Sequence, residues 1–372
     1  MQYKWIQDLE NNIDNFLNSL NRYQYNFNPV TKGATRDGAK LELGLSCYAL
    51  KIYYITGRWE LLPKKEKENW AKHIKSFQSG SKNFPTNSFV DNEYVNAYNK
   101  FSLIKKIKDV VKRILNYFNL KSYTLKNEKL EEFVRAESKQ AISSLIQVDF
   151  PITKFYQSEL LNEKAILDYL KKLNWQNAWN AGAQFSSLCV FVSTQVQDSD
   201  KKRLLTKVLS DFVSNVSNSE TGGFYTHDKP EERELINGAM KVVTGLDWIG
   251  VEIPYPEKLI DTCLSSSPNM EGCDIVDIIY VLYKCNMVTN YRSDDIREYF
   301  KTLIDLIKNH YFTGQGGFSY HVNKSQTHYY GVKISKGLNT PDLHGTLLLI
   351  WGISMISKVI DLPISKWNIL KP

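Results

Sequence analysis

TPDLHGTLLLIWGISMI (residues 340–356) sets a carboxylate and an imidazole, Asp342 and His344, in front of a segment that is apolar almost without interruption. A helix that is apolar on every side is buried on every side, so this stretch reads as a helix enclosed by other helices. Asp342 follows Pro341 and precedes the helix, which makes it a good N-cap, a role worth about 1 kcal/mol. His344 lies above Leu347, Leu348 and Trp351 on the helix surface. It reads either as a neutral histidine bonded to a backbone carbonyl or as a general acid/base tuned by its neighbours.

The pattern extends outward from this stretch. GLSCYALKIYYI (44–55), AQFSSLCVFVSTQV (183–196), AMKVVTGLDWIGV (239–251) and CDIVDIIYVLYKC (273–285) are also apolar on nearly every side. Amphipathic segments with one wet face lie between them, including 129–146, 164–173, 200–215 and 293–309. Strand-like alternation is scarce. Wet-sided and dry helices in alternation predict an all-α protein, an (α/α) toroid or barrel of hairpins with an inner ring of apolar helices. Residues 1–372 read as one such domain, with 1–125 tied less clearly to the repeating part.

Composition narrows the class. The 372 residues are 42% hydrophobic, 13% aromatic and 23% charged, as in an ordinary folded protein. The net charge of +7 comes from scattered lysines rather than one block, so no nucleic-acid partner is expected. Five cysteines, an odd number without a CxxC pair, read as reduced core thiols of a cytoplasmic protein. MQYKWIQDLENNIDNFLNSL (1–20) lacks a signal-peptide layout and spaces Trp5, Ile6, Leu9, Ile13, Phe16, Leu17 and Leu20 at helical intervals. The longest apolar run, Leu347 to Ile356, is about half of the roughly 20 residues that span a bilayer, so no transmembrane segment is expected. LIKKIKDVVKRILNYF (103–118) sets Ile104, Ile107, Val110, Val111, Ile114, Leu115 and Phe118 on one stripe with lysines and an arginine off it. It reads as an outer helix, with peripheral contact to an anionic membrane as the second reading.

The connections recur. TGGFYTHDKP (221–230) precedes ELINGAMKVVTGLDW, and QGGFSYHVNKS (315–325) precedes PDLHGTLLLIWGIS, while FQSGSKNFPTNSFVD (77–91) looks like a worn relative. This order of Gly-Gly-Phe, polar loop, small-residue helix start and apolar helix ending in Gly-Leu or Gly-Ile resembles the prenyltransferase and squalene-oxidase repeats of the terpenoid cyclase and protein prenyltransferase toroids. The resemblance covers roughly residues 175 to 360. It implies an (α/α) barrel with a pocket at one end of the inner ring. Its motifs are structural, so they speak to fold before reaction.

In such a barrel the inner helices run one way and polar residues at their starts converge at one mouth. Asp274 and Asp277 open one dry helix, Asp342 and His344 another, and Asn237 a third, with Lys241, Thr244 and Trp248 on the face of Asn237. Asp277 falls inside an apolar face, where an unpaired carboxylate costs several kcal/mol. We take Asp277, His344 and Asp274 as catalytic candidates. Asn237, His321, His328, Tyr329, Tyr330 and Trp248 are taken as substrate-binding candidates.

The family resemblance also implies a test for zinc. Protein prenyltransferases hold Zn²⁺ through an Asp-x-Cys element and a later His, and Cys273, Asp274 and His344 occur here in that order. Their spacing differs, since Cys273 and Asp274 are adjacent and Gly345 falls where the ligand His belongs. No metal or other cofactor is therefore assigned. The Asp-x-Asp-Asp motif of class II terpene cyclases is absent, and DDIRE (294–298) reads as acidic residues at a helix start. No P-loop, GxGxxG, HExxH, GxSxG or zinc-finger spacing occurs. The sequence thus suggests an enzyme using carboxylate and histidine acid/base chemistry on a small-molecule or lipid-like substrate. A carbohydrate-active enzyme on the same fold, and a non-catalytic scaffold, are the alternatives.

Overall fold

The computed structural model describes residues 3–79, 83–100, 103–117, 125–158, 160–364 and 366–372. The chain is mostly helical. It begins with α1 (Lys4–Leu20), α2 (Leu43–Ile55), the single turn α3 (Arg58–Leu61) and α4 (Lys64–Ser76), followed by α5 (Asn92–Asn99), α6 (Leu103–Tyr117) and α7 (Lys126–Gln147). It continues through α8 (Glu163–Lys172), α9 (Ala178–Gln195), α10 (Ser199–Val216), α11 (Glu232–Ile249) and α12 (Pro256–Leu264), and closes with α13 (Gly272–Asn286), α14 (Ser293–Lys308) and α15 (Leu343–Ile356). Four antiparallel two-stranded ribbons punctuate it: β1/β2 (Asn21–Tyr23, Asn26–Phe27), β3/β4 (Gln78–Ser79, Ser88–Phe89), β5/β6 (Tyr311–Phe312, Gly317–Phe318) and β7/β8 (His328–Tyr329, Val332–Lys333).

The apolar helices find one another. α2 packs on α7, α7 on α9, α9 on α11, α11 on α13, α13 on α15, and α15 back on α2, so the six contact one another in a closed cycle. Neighbours run in the same direction. Asn237 meets Asp274, Lys241 meets Asp277 and Asp247 meets Lys284, in step along α11 and α13. On α7 and α9, Arg135 bonds Gln184 and Lys139 bonds Ser186. The N-termini of these helices therefore share one end. Helices α4, α8, α10, α12 and α14 pack on the cycle, each with an apolar stripe turned toward it.

Close approach of α9 and α11 depends on small residues. A Cβ built on Gly238 would stand 2.6 Å from the Cβ of Ala178, and one built on Gly182 would stand 2.9 Å from the Gly238 carbonyl oxygen. The repeated Gly-Gly-Phe loops also share a structure. Phe89, Phe224 and Phe318 are all buried and each pairs across a bridge or ribbon with a residue just after the preceding outer helix: Gln78, Ser217 and Tyr311. The backbone N–H of Phe89 donates to the Ser138 hydroxyl of α7, as that of Phe318 donates to Thr346 of α15. The Gln78–Phe89 pairing of the worn segment is thus a structural counterpart of the other two.

Two expectations change. Residues 129–146 read as a wet-sided outer helix, yet α7 is a member of the cycle and buries Glu132, Glu137, Ser138, Gln140, Ser143 and Ser144. Several of its polar groups face partners, Tyr329, Phe89 and Gly44 among them, so polarity here does not mean solvent. α6 forms as a helix, but Ile107, Val110, Val111 and Ile114 of its apolar stripe are exposed rather than packed. The side chains of Ile104, Lys105 and Lys106, and all of Phe118, lie outside the described residues. α1 buries the seven residues that helical spacing selects, from Trp5 to Leu20. Among the described residues no helix is long and apolar enough to cross a membrane.

Candidate functional site

Asp342 shows how the shared end is built. Its Oδ1 accepts from the Gly345 N–H at 2.7 Å and caps α15, while Oδ2 accepts from the N–H groups of Tyr320 at 2.7 Å and Gln326 at 3.0 Å. Burial raises its carboxyl to about 6 against the opposing pull of these backbone N–H donors. The aspartate thus fixes the Tyr320–Gln326 loop over the start of α15, leaving the residue after the next, His344, to face inward.

α15 buries every residue except His344 and Leu348, which stand one turn apart. The same partial opening recurs on neighbouring members of the cycle at Cys273, Lys241 and Lys139. The His344 ring is stacked between Tyr48, with centroids 4.7 Å apart and planes at 7°, and Tyr320, at 5.5 Å and 19°. Its Nδ1 is buried with no hydrogen-bond partner. Burial, reinforced by the charges of Lys241 and Lys51, lowers its pKa to about 3, so the imidazole is neutral.

Asp277 is 1% exposed. Its Oδ1 lies 3.7 Å from the Lys241 ammonium, and its Oδ2 is buried with no hydrogen-bond partner. Burial raises its carboxyl to about 6, with Lys241 opposing and Asp274 adding to the rise. Beside it, the Cys273 thiol is pushed up to about 12, chiefly by burial and then by the Asp277 charge. Lys241 connects two of the three catalytic candidates: it pairs with Asp277 and its charge acts on His344. No hydrogen bond or ion pair joins Asp277 directly to His344.

Asp274 is engaged differently. Its Oδ1 accepts from Asn237 Nδ2 at 2.7 Å and from Arg233 Nε at 3.1 Å, and Arg233 also reaches Glu271 at 2.7 Å. A cleft of about 330 Å³ opens here between the start of α11 and residues 266–269, with Arg233, Asn237 and Asp274 in its wall. His321 stands nearby, its Nδ1 4.0 Å from Glu271.

The remaining candidates disperse. Tyr329 is buried and donates its hydroxyl to Glu137 Oε1 at 2.9 Å. Tyr330, half-buried with φ +40°, stacks on Phe133 at 5.1 Å. His328 is exposed and its ring bonds Thr327. Trp248 belongs to the last turn of α11, where its indole N–H donates to the Pro372 carbonyl at 2.6 Å and Lys371 lies over its ring. That is the end of the helix opposite Asn237. Among the described residues no three His, Cys, Asp or Glu side chains form a metal-ligand group, Cys273, Asp274 and His344 included. All five cysteines are free.

Sequence reasoning passed over two lysines. Lys51 sits in the middle of α2, 7% exposed, with no hydrogen bond or ion pair among the described residues. Lys139 on α7 donates to the Ser186 hydroxyl at 3.0 Å. Burial lowers Lys51 to about 8 and Lys139 to about 7, the latter also under the charges of Lys241 and Lys51. The signal for Lys51 was in plain view, a single cation in a helix otherwise apolar all round. Against family models, curated proteins and solved structures, the chain finds no match.

Proposed function

We propose that the protein is an enzyme whose six-helix cycle is the inner ring of an (α/α) toroid, similar in plan to the terpenoid cyclase and prenyltransferase toroids. Its chemistry is proton transfer to or from a small molecule held inside the ring. The observation that carries this reading is Asp277: a buried carboxylate with one oxygen unpartnered, titrating near 6, next to a single ammonium. A buried charge with an unmet valence is costly to a fold and useful to a reaction. At neutral pH the Asp277 carboxylate is the base, and its free Oδ2 accepts the substrate proton. Lys241 faces the negative charge left on the substrate. The neutral His344, held flat by Tyr48 and Tyr320, offers Nδ1 to a substrate polar group.

The interior wall supports a polar substrate better than a greasy one. Tyr48 and Tyr320 flank His344, and lysines stand where a hydrocarbon chain would need apolar contact. That favours, as the second reading, a carbohydrate-active enzyme on the same fold, tested by incubation with uronic-acid polysaccharides. The free cysteines support a cytoplasmic setting, and the exposed stripe of α6 supports peripheral contact with an anionic membrane. The deciding experiment is incubation of the purified chain with a whole-cell metabolite extract, read by mass spectrometry. A compound consumed by the wild type and spared by Asp277→Asn supports the enzyme reading. Identical metabolite profiles for both proteins and a buffer control would leave a non-catalytic scaffold.

A further inference from the structure

The cleft of about 330 Å³ at the start of α11 has a wall of unequal charge: Glu231, Glu232 and Asp274 line it against one cation, Arg233. That guanidinium is already held. Its Nε donates to Asp274 Oδ1 at 3.1 Å, its Nη2 donates to Glu271 Oε2 at 2.7 Å, and the group lies over the Trp179 ring at 5.4 Å. His321 stands beside Glu271 rather than in the wall, and burial holds it toward its neutral form. Glu231 and Glu232 make no ion pair among the described residues, since Arg233 pairs with Asp274 and Glu271 instead.

Acids at the start of a helix complement its dipole, and for Glu231 and Glu232 that alone is reason enough. It does not account for Asp274. This residue is 4% exposed, and while its Oδ1 accepts from Asn237 and Arg233, its Oδ2 is buried with no hydrogen-bond partner. A carboxylate oxygen shut away without a donor is costly to the fold. Asn237, in the same wall and 1% exposed, has only one orientation open to it. Its Nδ2 donates to Asp274 at 2.7 Å, and the reverse placement would set two oxygens at that distance, so Oδ1 is left as an acceptor. The buried part of the cleft thus lacks a donor, and its rim lacks a cation.

An ammonium group supplies both. A metal ion brings charge without donors, and among the described residues no three His, Cys, Asp or Glu side chains form a metal-ligand group. An alcohol brings a donor without charge. Ile236 and Ile278 complete the wall with apolar surface for a short aliphatic body.

We propose that the cleft between the start of α11 and residues 266–269 binds a small molecule through a primary ammonium group. The ammonium supplies the donor that Asp274 lacks and donates to Asn237 Oδ1, while Glu231 and Glu232 at the rim balance its charge. The proposal goes beyond the proton-transfer reading and does not depend on it, since neither Asp277 nor His344 lines the cleft.

The test is isothermal titration and thermal denaturation of the full chain with n-butylamine, 1-butanol and tetramethylammonium chloride, with sodium chloride matching the ionic strength. At neutral pH butylamine carries the charge and the donors. 1-Butanol keeps the body and a donor without charge, and tetramethylammonium keeps the charge without donors. Butylamine alone is expected to bind saturably and to raise the melting temperature. Its affinity is expected to fall about tenfold or more in Asp274→Asn. In Glu232→Gln, at the exposed rim, it is expected to fall about threefold. Far-ultraviolet circular dichroism checks that Asp274→Asn folds, and the rim variant carries the test if it does not. No saturable binding of butylamine overturns the proposal, as does equal binding of 1-butanol or tetramethylammonium. An affinity unchanged in folded Asp274→Asn or in Glu232→Gln also overturns it. Butylamine binding without any metabolite consumed upholds this site and removes the catalytic reading. Consumption lost in Asp277→Asn without butylamine binding does the reverse.

Discussion

The Asp277 carboxylate and the Lys241 ammonium meet at 3.7 Å on adjacent helices, and the second carboxylate oxygen meets nothing. The carboxyl is raised from 3.8 to about 6 by burial. A raised acid contributes stability that is present below about pH 4 and lost as pH rises through about 6. Asp277→Asn keeps the shape and removes the titration. Urea denaturation at the two ends of this window is expected to show the wild type losing roughly 3 kcal/mol relative to the variant as pH rises. Parallel pH profiles would mean that Asp277 is satisfied by its surroundings. Turnover of any substrate found should rise with pH through the same region in the wild type alone.

His344 behaves in the opposite sense. Its pKa is lowered from 6.5 to about 3, so the stability it allows is present above about 6.5 and lost as pH falls toward 3. His344→Phe preserves the stack with Tyr48 and Tyr320 and cannot take up a proton. The variant is expected to resist acid unfolding better than the wild type, by roughly 3 kcal/mol near pH 4, while losing activity. Acid titration followed by near-ultraviolet circular dichroism reads this out, and an earlier acid transition in the variant would contradict it.

Asp342 is a structural residue in this account. Asp342→Ala strands the Gly345, Tyr320 and Gln326 N–H groups, which it now accepts. Loss of a cap and of buried partners is expected to cost about 2–4 kcal/mol in chemical denaturation. A change below about 0.5 kcal/mol would show that water replaces the carboxylate.

The α9–α11 seam gives a packing test free of charge effects. Ala at position 238 improves intrinsic helix propensity by up to about 1 kcal/mol, but its Cβ would stand 2.6 Å from that of Ala178. Overpacking costs about 1–3 kcal/mol, so Gly238→Ala is expected to destabilise on balance. An increase in denaturation midpoint would show that the two helices separate easily.

Much of this was open to reading in the sequence, and the exceptions share a cause. Helical spacing selected the buried face of α1, and unbroken apolarity selected α2, α9, α11, α13 and α15 as enclosed helices. The Gly-Gly-Phe loops pointed to repeated units, and the buried Phe89, Phe224 and Phe318 give them a common packing. α7 was misread because Glu137, Ser138 and Gln140 count as wet in a pattern, although each is bonded to a neighbour in the chain fold. Trp248 was grouped with Asn237 by face alone. Face does not record height, and three turns of helix carry the indole to the opposite end. Lys51 and Lys139 went unremarked because lysine is abundant along the chain, and only three-dimensional neighbours reveal a cation that burial has lowered.

In the proposed function the polar groups inside the cycle serve a ligand at the expense of the fold. The most direct test is the stability of Lys51→Met without ligand. Lys51 is lowered from 10.5 to about 8, so the stability it allows is lost as pH falls through that range, and at neutral pH the buried ammonium is a burden. Chemical denaturation near pH 7 should show the variant more stable than the wild type, on the order of 3 kcal/mol. A variant less stable than the wild type would mean that Lys51 supports the structure, and that the interior charge is part of the fold rather than a place for a ligand.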